Sequence, residues 1–327
     1  MSAKCRPIFL ILFALLPAAV QAQLHYRTNN GAITITGYTG SGGAGVTIPD
    51  KINDLPVTAI GNSAFFEHRV MTSVTIPNSV TSIGAQAFQE CRKLTSVTIP
   101  NSVITIGSDA FSGCANLTNI TIPENVTIIG MRAFDDCTNL TAISVNASNS
   151  VYSSVDGILF NKDKTTLIQY PGGKTGSYTI PDSVTSIGQG AFECCLNLTN
   201  ITIPNTVTSI GQGAFYVCRN LTSVTLPNSF TNIEAVTFYM CFELTKITIP
   251  ASVTAIGDGA FQDCYRLSGV YFQGNAPNIG KFVFSLGRQP SRATIYYKPG
   301  MTGWGKTFGG LPTALWTEKS PLPPPSR

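Results

Sequence analysis

Nine cysteines, two histidines and seventeen acidic residues are the groups in this chain best equipped for chemistry. Cys91, Cys114 and Cys137, then Cys195, Cys218, Cys241 and Cys264, keep one register at intervals of 23 residues. With Cys194 they make eight beyond residue 22, an even number that invites a disulfide framework. The equal spacing favours another arrangement: equivalent positions in stacked units project in parallel, and free cysteine behaves as a small buried apolar residue. A ladder of buried thiols is therefore expected, although stacked Cα atoms about 5 Å apart fall within disulfide range and leave bridging between neighbours open. His25 and His68 sit in no metal or triad motif, and His68 occupies the cysteine register of the first unit, a place for a structural residue. Asp135-Asp136 lies in a variable part of the unit, where solvated side chains are expected. Paired acids can cleave glycosides, but nothing in the sequence marks a cleft around these. Asp156-Gly157 lacks the spaced oxygen ligands of a calcium loop. No catalytic, cofactor-binding or metal-ligating residue is assigned, and neither enzymatic activity nor a cofactor is expected.

The cysteine spacing belongs to a longer pattern that places every element. Leu94 to Asn116 is one copy of a repeat, and Phe65, Phe88, Phe111 and Phe134, then Phe192, Phe215, Phe238, Phe261 and Phe284, recur in step with it. A fixed period of this size marks a solenoid, in which each unit buries its apolar face only against its neighbours. Val97 and Ile99 alternate with Ser96 and Thr98, which predicts a short strand with one buried face. Pro100 ends it, since proline cannot donate to the ladder. Val103 and Ile106 predict a second strand, and Gly107 a corner needing either positive φ or close backbone approach. Glu234 stands in that glycine column and predicts an altered corner. Phe111, Cys114 and Leu117, three apart, predict a short helical turn. The fold class expected is thus a β-rich, leucine-rich-repeat-like solenoid with two short strands and a short helical turn per coil.

The register breaks between Phe134 and Phe192, which are 58 residues apart. Ile158-Leu159-Phe160 and Thr166-Leu167-Ile168 flank Asn161-Lys162-Asp163-Lys164, predicting a protruding hairpin with a polar tip, within an insertion at about 146–177. Residues 23–60 read as an N-terminal cap, 61–272 as the interrupted repeat, and 273–318 as a degenerate last coil and C-terminal cap containing Trp304 and Trp316. Both tryptophans are expected to pack the cap. Residues 319–327 form a proline-rich tail expected to be disordered.

Residues 1–22 read as a secretory leader: Lys4 and Arg6 precede an apolar run from Ile8 to Val20, and Val20-Gln21-Ala22 fits a cleavage site. Without Lys4 and Arg6 the formal charge of +4 falls to about +2, and only 12% of residues are charged. The basic residues are scattered, which argues against nucleic acid as a partner. No later segment is long and apolar enough to span a membrane. A secreted or cell-surface location is expected.

The run Leu-x-x-Val-x-Ile-Pro-x-x-Val-x-x-Ile-Gly-x-x-Ala-Phe-x-x-Cys, read from Leu94 to Cys114, resembles the BspA-like leucine-rich repeats of bacterial surface and secreted proteins. The resemblance covers about residues 46–284. It implies an exported binding protein, and some relatives act in adhesion to host matrix proteins or cells. The asparagine-ladder position of ordinary leucine-rich repeats is not clearly matched, so their horseshoe curvature is not implied. The partner expected is an extracellular protein or glycan. Candidate contact residues are those that depart from the Ser, Thr and Asn of the outward rows: Lys246, Tyr271, and Asp163 and Lys164 at the hairpin tip. Hydroxyl pairs such as Ser96/Thr98 and Ser223/Thr225 also resemble ice-binding faces, but Asn119, Asn200, Lys246 and Tyr271 interrupt their regularity.

Overall fold

The computed structural model describes residues 23–40, 45–287 and 291–317. The leader expected at 1–22 and the tail expected at 319–327 lie outside the described residues. The chain is a β-solenoid. Each coil carries a front strand such as Ser96–Thr98 and a back strand such as Thr105–Ile106. Front strands pair in parallel one period apart, with Ser73, Val74 and Thr75 opposite Ser96, Val97 and Thr98. Back strands do the same, with Ser82 and Ile83 opposite Thr105 and Ile106. Strand alternation sends Val97, Ile99 and Ile106 inward, where they meet a column of phenylalanines. Phe65, Phe88 and Phe111 stack with ring centroids 5.1 and 5.3 Å apart, and Phe215, Phe238 and Phe261 at 5.3 Å.

The third side of the coil corrects the sequence reading: no helix occurs among the described residues. The pairs Cys91/Phe88 and Gln89/Gln86 do show the three-residue spacing of tight turns, with Cys91 N–H donating to Phe88 O and Gln89 N–H to Gln86 O, both at 3.2 Å. The alternate amides point along the solenoid axis instead: Gln86, Phe88 and Glu90 N–H donate to Ser108, Ala110 and Ser112 O at 2.7–2.8 Å. Two left-handed residues per coil, here Gln86 (φ 58°) and Glu90 (φ 61°), redirect the backbone so that this side also forms rung-to-rung bonds. A helix would consume those amides internally.

The corner glycines are required by close approach. A Cβ on Gly107 would lie 2.4 Å from Ala85 N, and one on Gly211 2.4 Å from Gln189 N. Where Glu234 replaces glycine, the back sheet stops at Ser209–Ile210 and restarts at Asn232–Ile233.

The insertion does not protrude. Tyr152–Val155, Ile158–Asn161 and Thr166–Gln169 form an antiparallel meander that joins the back sheet through Ser186–Ile187. Its middle strand crosses the interior. Leu159 belongs to the core of the first half, while Ile158 and Phe160 belong to that of the second. A run of consecutive apolar residues suits a strand buried on both faces, which is what Ile158-Leu159-Phe160 is. Tyr170 then takes the phenylalanine place, stacked 5.0 Å from Phe192. The front sheet is interrupted here, between Ala142–Val145 and Gly176–Thr179, and the turn at Gly157 covers the exposed edge by accepting Ile143 N–H at 2.8 Å.

At the N-terminal end, Leu24–Asn29 pairs antiparallel with Ala32–Tyr38, which continues the back sheet. At the other end, Trp304 packs against Phe272, Tyr297 and Phe308 at centroid distances of 4.8, 5.1 and 4.9 Å.

Candidate functional site

The cysteines form no site. All eight in the described residues are free, seven of them buried. Each of those seven donates to the backbone oxygen of the aromatic one coil earlier, as from Cys91 to Phe65 O at 3.1 Å, Cys218 to Phe192 O at 3.0 Å and Cys264 to Phe238 O at 3.1 Å. Burial pushes Cys91 and Cys264 up to about 12, so the thiolate needed for nucleophilic or metal chemistry is disfavoured. His68 takes the same place in the first coil and holds Tyr38 O at 2.7 Å through Nε2. Among the described residues, no group of three or more His, Cys, Asp and Glu is placed to hold a metal.

One acidic cluster is buried, contrary to the sequence expectation for Asp135. The insertion displaces the regular coil between Asp135 and Glu193, and both side chains turn into the seam. Arg132 bridges them, with Nε 3.0 Å from Asp135 Oδ2 and Nη2 2.8 Å from Glu193 Oε1. Desolvation and the neighbouring carboxylate raise Asp135 well above the usual carboxylate range, and desolvation raises Glu193. The two carboxyl groups lie against each other and the Arg132 guanidinium reaches both, so the cluster ties the two halves of the solenoid together.

A groove of about 680 Å³, with room for a ligand, crosses consecutive coils of the second half. Thr179, Thr202, Thr225 and Thr248 line it from successive front strands, and Asn205 and Asn228 from the corners that follow Pro204 and Pro227. Ile180, Ile203 and Leu226 form its apolar floor. Asp182 is the single charged residue in the lining. The neighbouring outward row is engaged with itself, since Asn200 Nδ2 donates to Ser177 Oγ at 3.2 Å and Ser223 Oγ to Asn200 Oδ1 at 2.7 Å. In the threonine row, Thr248 Oγ1 is buried without a hydrogen-bond partner.

The four sequence candidates bracket this groove without entering it. Asp163 and Lys164 are exposed, and Lys164 O accepts from Ser183 Oγ at 3.3 Å beside lining residue Asp182. Lys246, half-buried, begins the strand that contributes Thr248. Tyr271 corrects the reading of a surface contact: it lies in the outward row, opposite Thr248, but is fully buried. Its ring folds back over Gly269, where a Cβ would sit 2.8 Å from Tyr271 Cε2. Tyr296 stacks on it at 4.9 Å and Trp316 meets it edge-on at 5.4 Å. The sequence reading missed Asn205 and Asn228, whose signal is the shared place after a repeat proline. It also missed an aromatic strip on the third side, where Tyr216 and Tyr239 stack at 5.0 Å and Phe242 and Tyr265 meet at 5.1 Å.

Comparison with known proteins agrees with this architecture. A search of curated proteins gave no match. Among solved structures, the pneumococcal vaccine antigen PcpA is similar over 85% of this chain and 92% of its own, at 23% identity and a TM-score of 0.60, which shows a shared fold. A leucine rich cell surface protein from Faecalibacterium prausnitzii A2-165 aligns over 80% of this chain and 94% of its own, at 26% identity and a TM-score of 0.44. The family model for the BspA type leucine rich repeat region matches residues 58–176 and 170–288. Matched over well more than half its length, the chain belongs to the BspA-type leucine-rich repeat family.

Proposed function

We propose that the protein is an exported or surface-associated interaction module that holds an extracellular macromolecule, protein or glycan, in the front groove. The observation that carries this reading is a continuous recess assembled from consecutive coils and lined by neutral hydrogen-bonding groups. Extended surfaces of this kind are what repeat proteins use for recognition. The lining offers no nucleophile–base pair, and its lone carboxylate cannot supply the two acids of glycoside cleavage. Export is supported by the leader-like residues 1–22, and no helix among the described residues is long and apolar enough to cross a membrane. Asp163, Lys164 and Lys246 are proposed rim contacts, and Tyr271 a buried support for the groove's far end.

The test is binding of labelled protein to an array of extracellular-matrix proteins and oligosaccharides. The double variant T202K/T225K fills the groove and is expected to lose its signal, while T75K/T98K, at the same row of the first half, keeps it. Equal binding by both variants would remove the groove from the account.

A further inference from the structure

We infer that the groove takes a linear, uncharged polysaccharide lying along the solenoid axis; this rests on the groove being the binding surface. The argument begins with repetition. Thr179, Thr202, Thr225 and Thr248 present the same group from successive strands, and Asn205 and Asn228 present another from successive corners. Identical groups at identical spacing carry no position-specific information. They cannot read a peptide sequence, but they match a ligand that repeats itself.

The groups themselves narrow the class. A threonine hydroxyl both donates and accepts, and an asparagine side chain does the same from separate atoms. Such a surface complements a polymer whose own groups are hydroxyls. The lining itself disfavours polyanions: its one ionised side chain is Asp182, and the basic residues Lys164 and Lys246 stand only at the rim.

An extended peptide is the competing occupant, and the backbone argues against it. Peptides dock on sheets mainly by adding a strand to an open edge. The strands Gly176–Thr179, Leu198–Thr202 and Ser223–Thr225 are hydrogen-bonded to one another in parallel, and where that sheet ends, the edge of Ser223–Thr225 faces Lys246–Ile249 of the next coil. Side chains alone meet the ligand.

Isothermal titration with cellohexaose, laminarihexaose, xylohexaose and maltohexaose tests the inference, with heparin as the charged comparison. At least one neutral hexasaccharide is expected to bind, its affinity rising from the disaccharide to the hexasaccharide as further coils are engaged. The variant T202V/T225V removes two hydroxyls while keeping strand propensity. It is expected to melt with the wild type and to bind the sugar at least tenfold more weakly, whereas T75V/T98V binds normally. Failure of all four sugars, or affinity indifferent to chain length or to T202V/T225V, overturns the proposal. If T202K/T225K abolishes capture of an array protein while the sugars fail, the groove reading stands and the glycan assignment falls. If T202K/T225K changes nothing, both fall.

Discussion

Gly269 and Tyr271 show how one departure from the repeat is absorbed by another. Ser223 and Lys246 precede Gly269 in the same outward row, and the loss of a side chain there gives the Tyr271 ring its bed. Substituting G269S forces a Cβ to within about 3 Å of that ring, and overpacking of this kind costs about 1–3 kcal/mol. The expected result is a lower urea midpoint for G269S than for wild type, and little further loss from G269S when it is made in a Y271T background, where the ring is gone. An equal loss from G269S in both backgrounds would mean the glycine serves something other than the ring. The thiol ladder makes a second residue-scale prediction. Ellman's reagent is expected to label at most Cys194 in the folded protein, because the other seven are buried, and all eight once the chain is denatured. Prompt native reaction of Cys114 or Cys241 would contradict their burial.

At the scale of elements, the strands were legible and the third side was not. Val97 and Ile99 alternate with polar neighbours, so one buried face follows directly from strand geometry. Phe88, Cys91 and Leu94 are three apart both in a tight helix and in linked turns, and spacing alone cannot separate the two. The deciding signal is the pair of left-handed residues per coil, and it is weak, because Gln86, Arg132 and Val236 adopt that conformation at the place that Gly190 and Gly213 hold in other coils. The groove rows were partly legible, as in Thr202 and Thr225, but which half of the molecule forms a recess depends on packing between coils. Asp135 was misread because its burial arises from the insertion that follows it, which brings Glu193, 58 residues on, against it. That pair sets a pH dependence. Asp135 and Glu193 both have folded-state pKa values raised above the usual carboxylate range, so between the unfolded and folded values the folded chain holds more protons. Their contribution to stability is present at low pH and lost as pH rises through the folded value. Asp135 faces Glu193 and Arg132, and Glu193 additionally feels Asp109 and Asp136. Moving from about pH 7 to about pH 5 is therefore expected to raise the melting temperature of wild type more than that of D135N, which is itself the more stable at neutral pH. Parallel melting curves for the two proteins across that range would show that Asp135 does not titrate with folding.

At the scale of the whole molecule, the solenoid is two cores divided by one strand. The strand Ile158–Asn161 sends Leu159 to the first and Phe160 to the second, and both side chains are buried. Stability in a stacked array is roughly a sum of coil and interface terms, so a defect on one face of the divider should be felt mainly on that side. Truncating Leu159 to alanine costs about 2–5 kcal/mol, and Phe160 to alanine about 3–5 kcal/mol. The two losses should fall on different halves. Both tryptophans, Trp304 and Trp316, lie beyond the divider, so their fluorescence reports the second half while circular dichroism reports both. In F160A, the fluorescence transition is expected to move to lower urea and to precede part of the dichroism change. In L159A, dichroism is expected to begin changing first, with fluorescence following later. Amide exchange should agree, with protection falling around Phe111 and Phe134 in L159A and around Phe192 and Phe215 in F160A. If both probes move together by the same amount in both variants, the divider couples the halves into one cooperative unit, and the tie made by Arg132 across the seam is the contact to remove next.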